Sequence, residues 1–201
     1  MPVGQPYHHG NLREALVEAG LDLTRSGGER ALVMRDVTGR VGVSPNAAYR
    51  HFADRDALLE AIAERIREDM AAHMHALEPA DRSPRELLRA VGLGYIGFAL
   101  AEPGWFEVAF STIEPRRDAS GQASLPPPLR LLVAALDELA ASGELAVREG
   151  AEWPCWSAVH GFALLALHGP LRGLDEDALW EAAERTVDDV IAGLLSRALV
   201  G

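Results

Sequence analysis

The 201-residue chain has no lysine; all 19 of its basic residues are arginine. Its single cysteine, Cys155, rules out an internal disulfide framework and any zinc site of the four-cysteine or Cys/His-finger type. Long hydrophobic runs are missing too. None is longer than a six-residue run such as Phe162 to Leu167, far too short to span a bilayer, and no charged start followed by an apolar run marks a secretory signal. The expectation is therefore a cytoplasmic protein with no membrane partner. Hairpin dipeptides between alternating strands and β-branched runs are also lacking, which argues against a sheet core. What is present is an ordinary globular composition, 48% apolar and 24% charged, in a chain long enough to bury a core without metals.

Positive charge is scarce, with a formal net charge of −11, but its placement is uneven. Residues 1–53 carry six Arg against five acids, whereas residues 54–201 carry a balance of −12. An acidic body repels a polyanion everywhere except at one end. The first quarter of the chain is thus the place to look for a nucleic-acid contact.

The apolar pattern is helical nearly throughout, and the fold class expected is all-α. A first helix is predicted from about Leu12 to Ser26, capped by Asn11, with Leu12, Leu16, Ala19 and Leu23 as its buried stripe and Gly27-Gly28 as its end. A second spans about Met34 to Val41, weakly capped because Val33 has no side-chain acceptor. Ser44 and Pro45 are good N-cap and N1 residues for a very short helix to about Phe52. Asp54 caps a long helix to about Leu77, whose Leu59, Ile62, Ile66, Met70 and His73 share a face. Ser83 and Glu86 open a helix to about Ala101, residues 105–112 form a short aromatic helix, and 114–128 read as a mobile loop. Helices at about 129–142, 151–168 and 176–199 complete the chain, the last capped by Asp175.

Residues 33–52 carry the function. Val37, Val41 and Val43 are spaced to pack two helices across a tight turn, and Gly42 sits where the chain needs a positive φ. This is the pattern of a helix-turn-helix, whose second helix enters a major groove. A helical hairpin with no ligand has the same local pattern. The flanks decide between them. Tyr49-Arg50-His51-Phe52-Ala53-Asp54-Arg55-Asp56-Ala57-Leu58 resembles the signature of the TetR family of transcriptional regulators, and Tyr7 to Arg13 is similar to the start of one subgroup. Trp156-Ser157-Ala158-Val159-His160-Gly161 resembles that subgroup's Trp-His-Gly C-terminal domain. The resemblance implies an N-terminal three-helix DNA-binding domain (1–53), a connecting helix (54–77) and a larger helical ligand-binding and dimerisation domain (78–201). It also implies a homodimer on a pseudo-palindromic double-stranded operator, and repression released by a small apolar or aromatic inducer of unknown identity.

Specific residues follow from the chemistry of DNA and from this likeness. Ser44 caps the recognition helix and favours a phosphate there. Pro45, Asn46 and Ala47 lie at the leading end, where Asn46 suits adenine and Ala47 a thymine methyl. Tyr49, Arg50 and His51 reach phosphates, Arg50 also guanine, and Arg35 and Thr38 the backbone beside the turn. Arg55 matches the family's phosphate clamp. In the body, the inducer-pocket candidates are Met70, His73, Tyr95, Phe98, Trp105, Phe106, Phe110, Trp156 and His160, with His160 or His73 as polar handle. Val159, Ala163 and Leu167, together with Val187, Ile191, Leu194 and Ala198, are read as stripes of an isologous four-helix interface.

Other signals are weaker. Gly92 to Gly97 fits the dinucleotide pattern G-x-G-x-x-G but lies inside a predicted helix, where no strand precedes it. His8-His9 and His73-x-His75 lack a fixed third ligand, and no catalytic constellation or cofactor motif is present, so no metal, cofactor or catalytic residue is expected. Cys155 between Trp153 and Trp156 reads as a buried thiol rather than a redox sensor. Two rival readings remain: a helical small-molecule-binding protein or enzyme with a vestigial DNA-binding head, and a DNA-binding structural protein without an inducer.

Overall fold

A computed structural model describes residues 12–78, 81–111, 125–145 and 147–196. Among them there is no strand. The helices are α1 (Leu12–Gly27), α2 (Met34–Val41), α3 (Pro45–Ala48), α4 (Arg55–Ala76), α5 (Pro84–Ala101), α6 (Pro103–Ser111), α7 (Pro127–Ala141), α8 (Glu152–His168) and α9 (Glu176–Ser196). Short 3-10 turns at Glu29–Ala31 and Pro170–Gly173 are additions to the sequence reading. Asn11 and Ala198 and residues 114–124, named above as a cap, an interface position and part of a loop, lie outside the described residues.

The chain divides into two compact units, 1–66 with 104–113, and 67–103 with 114–201. In the first unit α1, α2 and α3 surround Leu16, Leu21, Leu32, Val37, Ala48 and Phe52, all buried, and the first part of α4 adds Leu58, Leu59 and Ile62. The buried stripe of α1 is wider than predicted. Leu16 and Ala19 lie on it as expected, but Val17, Gly20, Leu21 and Thr24 join them while Leu12 and Leu23 are only half-buried. From Gly104 onward α6 also belongs to this unit. The Trp105 indole N–H donates to the Leu21 carbonyl at 2.9 Å, and its ring lies under the Arg25 guanidinium at 4.8 Å.

In the second unit α5 is the central element, packed on α7, α8 and α9. Its start is fixed by a full capping box between Ser83 and Glu86. Arg82 pairs with Glu138 of α7 at 2.8 Å, and Arg89 with Asp188 of α9 at 2.8 Å. Gly92 and Gly94 stand mid-helix at close approaches: a Cβ would meet Val187 Cγ1 at 3.2 Å and the Met74 backbone at 3.1 Å respectively. The prolines before α7 start it: Pro126 is the N-cap and Pro127 opens the helix, where a missing N–H is harmless.

One expectation is overturned here. Val159, Ala163, Val187, Ile191 and Leu194 are buried inside this unit and are not an outward stripe. Val159 and Val187 lie against Gly92 of α5, and Ile191 lines the same small cavity as Val91 and Tyr95. The large apolar side chains that α8 does expose are Trp153 (57%), Leu164 (42%) and Leu165 (46%).

Candidate nucleic-acid interface

The turn between α2 and α3 is built from local chemistry. Gly42 ends α2 in the left-handed conformation, φ 77°, and its N–H donates to the Thr38 carbonyl. A side chain at Gly42 is disfavoured by that φ alone, since no neighbouring atom lies within 4 Å of where its Cβ would stand. Ser44 follows as N-cap, its hydroxyl accepting from the Ala47 N–H at 3.3 Å, with Pro45 in the first helical position. The helix is shorter than the predicted Pro45–Phe52. It ends at Ala48, and the His51 and Phe52 N–H groups both donate back to the Ala48 carbonyl. Buried Ala48 and Phe52 anchor the two ends of this turn, and Arg13 lies over the Phe52 ring at 5.0 Å. A larger aliphatic at position 48 has no room in a site already fully closed.

Anchoring the turn leaves one face of it in solvent. Ser44, Pro45, Asn46, Tyr49, Arg50 and His51 are exposed and Ala47 half-buried, with Arg35 and Arg40 exposed on α2. Tyr49 is the largest of these apolar bodies and is 49% exposed. Exposed backbone N–H groups at a capped helix start, hydroxyl and amide side chains, and arginines within one small surface can hydrogen-bond base edges and phosphates.

Two of the expected contact residues stand elsewhere. Thr38 is buried, its hydroxyl donating to the Arg35 carbonyl at 3.1 Å. Arg55 is turned into its own unit. Its Nε donates to the Leu32 carbonyl at 2.9 Å and Nη2 to the Glu29 carbonyl at 2.8 Å, while Nη1 reaches the Glu29 and Asp56 carboxylates at 3.3 Å. The guanidinium read as a phosphate clamp is therefore already occupied by backbone carbonyls. Sequence reasoning missed Arg40, whose pairing with Asp22 at 3.7 Å is loose and exposed.

The pocket candidates are divided between the two units. Trp105, Phe106 and Phe110 belong to the first unit, with Phe106 and Phe110 edge-to-face at 5.1 Å. Met70 is fully buried core, and Phe98 is buried with exposed His73 at its edge, 5.9 Å away. Tyr95, Trp156 and His160 do meet. The Tyr95 hydroxyl and His160 Nδ1 are 2.8 Å apart, Tyr95 packs edge-on to Trp156 at 5.1 Å, and Trp156 stacks with His160. Burial pushes the Tyr95 phenol far up and the His160 imidazolium down, so both are neutral partners in this bond. Tyr95 and Trp156 line an apolar cavity of about 30 Å³ with Met74, Val91, Leu132 and Ile191. Cys155 lies on its wall, and burial pushes its thiol up to about 11, away from redox chemistry.

A helix-turn-helix with a free recognition face, carried on an all-helical chain with a separate helical body, defines a DNA-binding regulator. Comparison with known proteins places it further. The family model described as bacterial regulatory proteins, tetR family, matches residues 16–62, and the tetracyclin repressor-like C-terminal domain matches residues 88–190. The chain belongs to the TetR family of DNA-binding transcriptional regulators. It is 25% identical over 173 residues to an uncharacterised HTH-type transcriptional regulator, Rv0681, of Mycobacterium tuberculosis, covering 84% of this chain and 76% of that one. The HTH-type transcriptional repressor Rv3405c of the same organism is 29% identical over 102 residues, and the match spans about half of each protein, 47% and 52%. Among solved structures, a protein of unknown function from Rhodococcus sp. RHA1 superposes with a TM-score of 0.73 at 28% identity, over 96% of this chain and 100% of that one. A TetR variant from Acinetobacter baumannii AYE in complex with minocycline shares the fold, with a TM-score of 0.64 at 23% identity over 89% and 93% of the two chains. Members of this family bind DNA operators and act as dimers, and they are generally not enzymes. No helix among the described residues is long and apolar enough to cross a membrane.

Proposed function

We propose that the protein is a cytoplasmic, homodimeric repressor that leaves a pseudo-palindromic operator when a small apolar or aromatic ligand enters its helical body. The observation that carries this reading is the solvent-facing recognition surface of Ser44, Pro45, Asn46, Tyr49, Arg50 and His51 on an otherwise acidic chain. In this reading residues 1–53 form the head, 54–77 the connecting helix and 78–201 the ligand-binding and dimerisation body. Asn46 and Ala47 meet base edges; Ser44, Tyr49, Arg50, His51 and Arg35 meet phosphates. Thr38 and Arg55 hold the α2–α3 hairpin in shape behind them.

A dimer is needed because one recognition helix reads only a half-site, and two must sit about 34 Å apart to enter successive major grooves. The exposed Trp153, Leu164 and Leu165 of α8 supply an apolar face for a second copy. Leu164→Arg is expected to shift the protein to monomer in sedimentation velocity and to weaken operator binding by about a hundredfold, through loss of the second half-site. A dimer that persists with full affinity overturns that interface.

The cavity beside Tyr95 and Trp156 has space for a water or two as it stands, against roughly 300 Å³ or more for typical ligands. A ligand entering there has to part α5, α7, α8 and α9. A differential fit of this kind is what shifts a two-state equilibrium, and α4 runs unbroken from the head unit into the body unit to carry the change. The Tyr95–His160 pair supplies one donor and one acceptor for a ligand's polar group.

The test is a titration of the full-length protein against DNA from upstream of its own gene and unrelated DNA, at two salt concentrations. Selective binding that weakens steeply with salt supports the reading. Binding that fails to discriminate among DNA tiled across the neighbouring intergenic regions overturns it.

A further inference from the structure

Arg13 is the second residue of α1. A cation in the first turn of a helix faces the positive end of the helix dipole, where an acid is favoured. Its own helix offers the side chain nothing in return. The residues three and four positions on, Leu16 and Val17, are buried and apolar. The acids of this part of α1 are taken by another arginine: Arg65 of α4 holds Glu14 at 3.0 Å and Glu18 at 3.2 Å. Residues 1–11 contain no acid at all. Among the described residues the partner of Arg13 is a ring, that of Phe52, with the guanidinium 5.0 Å from its centroid.

That ring fixes where the charge stands. Phe52 is buried and follows Arg50 and His51, both exposed, directly in the chain. Arg13 is exposed as well, so its charge lies in solvent at the edge of the recognition face. The ring quadrupole holds a cation in place. It does not neutralise the cation, as a carboxylate would. Arg55 is the contrast. Its N–H groups go to the Leu32 and Glu29 carbonyls, and its charge is matched by the Glu29 carboxylate at 3.3 Å. Two arginines therefore flank the recognition turn, one from α4 and one from α1. The first is committed to its own unit, and the second carries an unmatched charge. A planar guanidinium fork of that kind suits two oxygens of one phosphate.

We infer that Arg13 is a DNA-phosphate contact at the flank of the recognition face, preset by the Phe52 ring and standing in for the inward-turned Arg55. The inference rests on the reading of Ser44 to His51 as the DNA-facing surface, and it extends that surface to the start of α1.

Binding of the full-length protein to two duplexes of equal length tests this, one from upstream of its own gene and one of mixed sequence. Affinity is measured over a range of salt for Arg13→Ala, Arg13→Lys, Arg50→Ala and Arg172→Ala. Arg13→Ala is expected to weaken binding to both duplexes by the same factor, about tenfold or more, because a phosphate contact carries no sequence information. Its slope of log affinity against log salt should fall by about two for a dimer, one phosphate being lost per subunit. Arg13→Lys keeps the charge and should keep the slope. Arg172, exposed on the second unit, is the control: Arg172→Ala makes the same change of net charge and should also keep the slope. Thermal melts check that each variant is folded. A wild-type slope in Arg13→Ala, or a slope lowered as much by Arg172→Ala, overturns the inference. If Arg50→Ala lowers the slope and Arg13→Ala does not, the recognition face stands and this extension alone falls; if neither lowers it, both fall.

Discussion

Gly104→Ala is expected to destabilise the first unit by about 3 kcal/mol, read as a fall of roughly 6–12 °C in Tm. Gly104 stands in the first turn of α6 against the C-terminal end of α1. A methyl group there would overlap the Arg25 carbonyl oxygen and lie 2.6 Å from the Thr24 carbonyl oxygen. Both obstacles are backbone, so neither can swing aside as a side-chain tip would. Moving α6 outward would break the Trp105 N–H bond to the Leu21 carbonyl and lift the ring from Arg25. A second close approach adds to this: Gly28, at φ 58°, leaves just enough space for the Glu107 carboxylate. The control lies in the same unit. Gly39 sits inside exposed α2 with nothing within 4 Å of its Cβ position, so Gly39→Ala should raise stability by up to about 1 kcal/mol. Thermal melts of the two variants should move in opposite directions. Equal melts would mean that α6 does not bear on α1.

The same contrast explains what the sequence makes legible. The signals that were readable are those completed within a few residues. Ser44 capping Ala47, Asp54 capping Ala57, the Ser83–Glu86 box, Asp175 capping Ala178 and the positive φ at Gly42 each depend on neighbours at most three positions away. The placement of Gly92–Gly97 inside a helix follows from the same local logic. The rest depends on distant partners. Trp105 finds its acceptor 84 residues back in the chain, so its aromatic neighbours read equally well as pocket wall. Val187 and Ile191 share a helical stripe whose period is the same whether it faces α5 or a second subunit. Trp180 has no local signature, and its approach to Gly97 of α5 appears only in the folded chain. Arg55 shows the limit most clearly, because its position in the motif matches a phosphate contact while its partners lie 23 and 26 residues away.

Arg55 and Arg50 should accordingly fail in different ways when each is replaced by alanine. Arg50 is exposed on the turn that follows α3. Arg50→Ala should leave Tm unchanged and weaken operator binding. Each phosphate contact it loses lowers the slope of log affinity against log salt by about 0.9, hence by about two for a dimer. Arg55 instead ties the start of α4 to the Glu29–Leu32 turn through two backbone carbonyls, and its side chain is about one-third exposed. Removing a charged donor from carbonyls that are partly screened by solvent costs about 2 kcal/mol. Arg55→Ala should therefore lower Tm by roughly 4–8 °C. It should also weaken operator binding, since the α2–α3 hairpin loses its brace, while the salt slope stays at the wild-type value. Affinity measured at four salt concentrations for the three proteins separates the roles. A reduced slope with an unchanged Tm in Arg55→Ala would return this residue to the phosphate, and would mean that its bonds to Glu29 and Leu32 give way when DNA is bound.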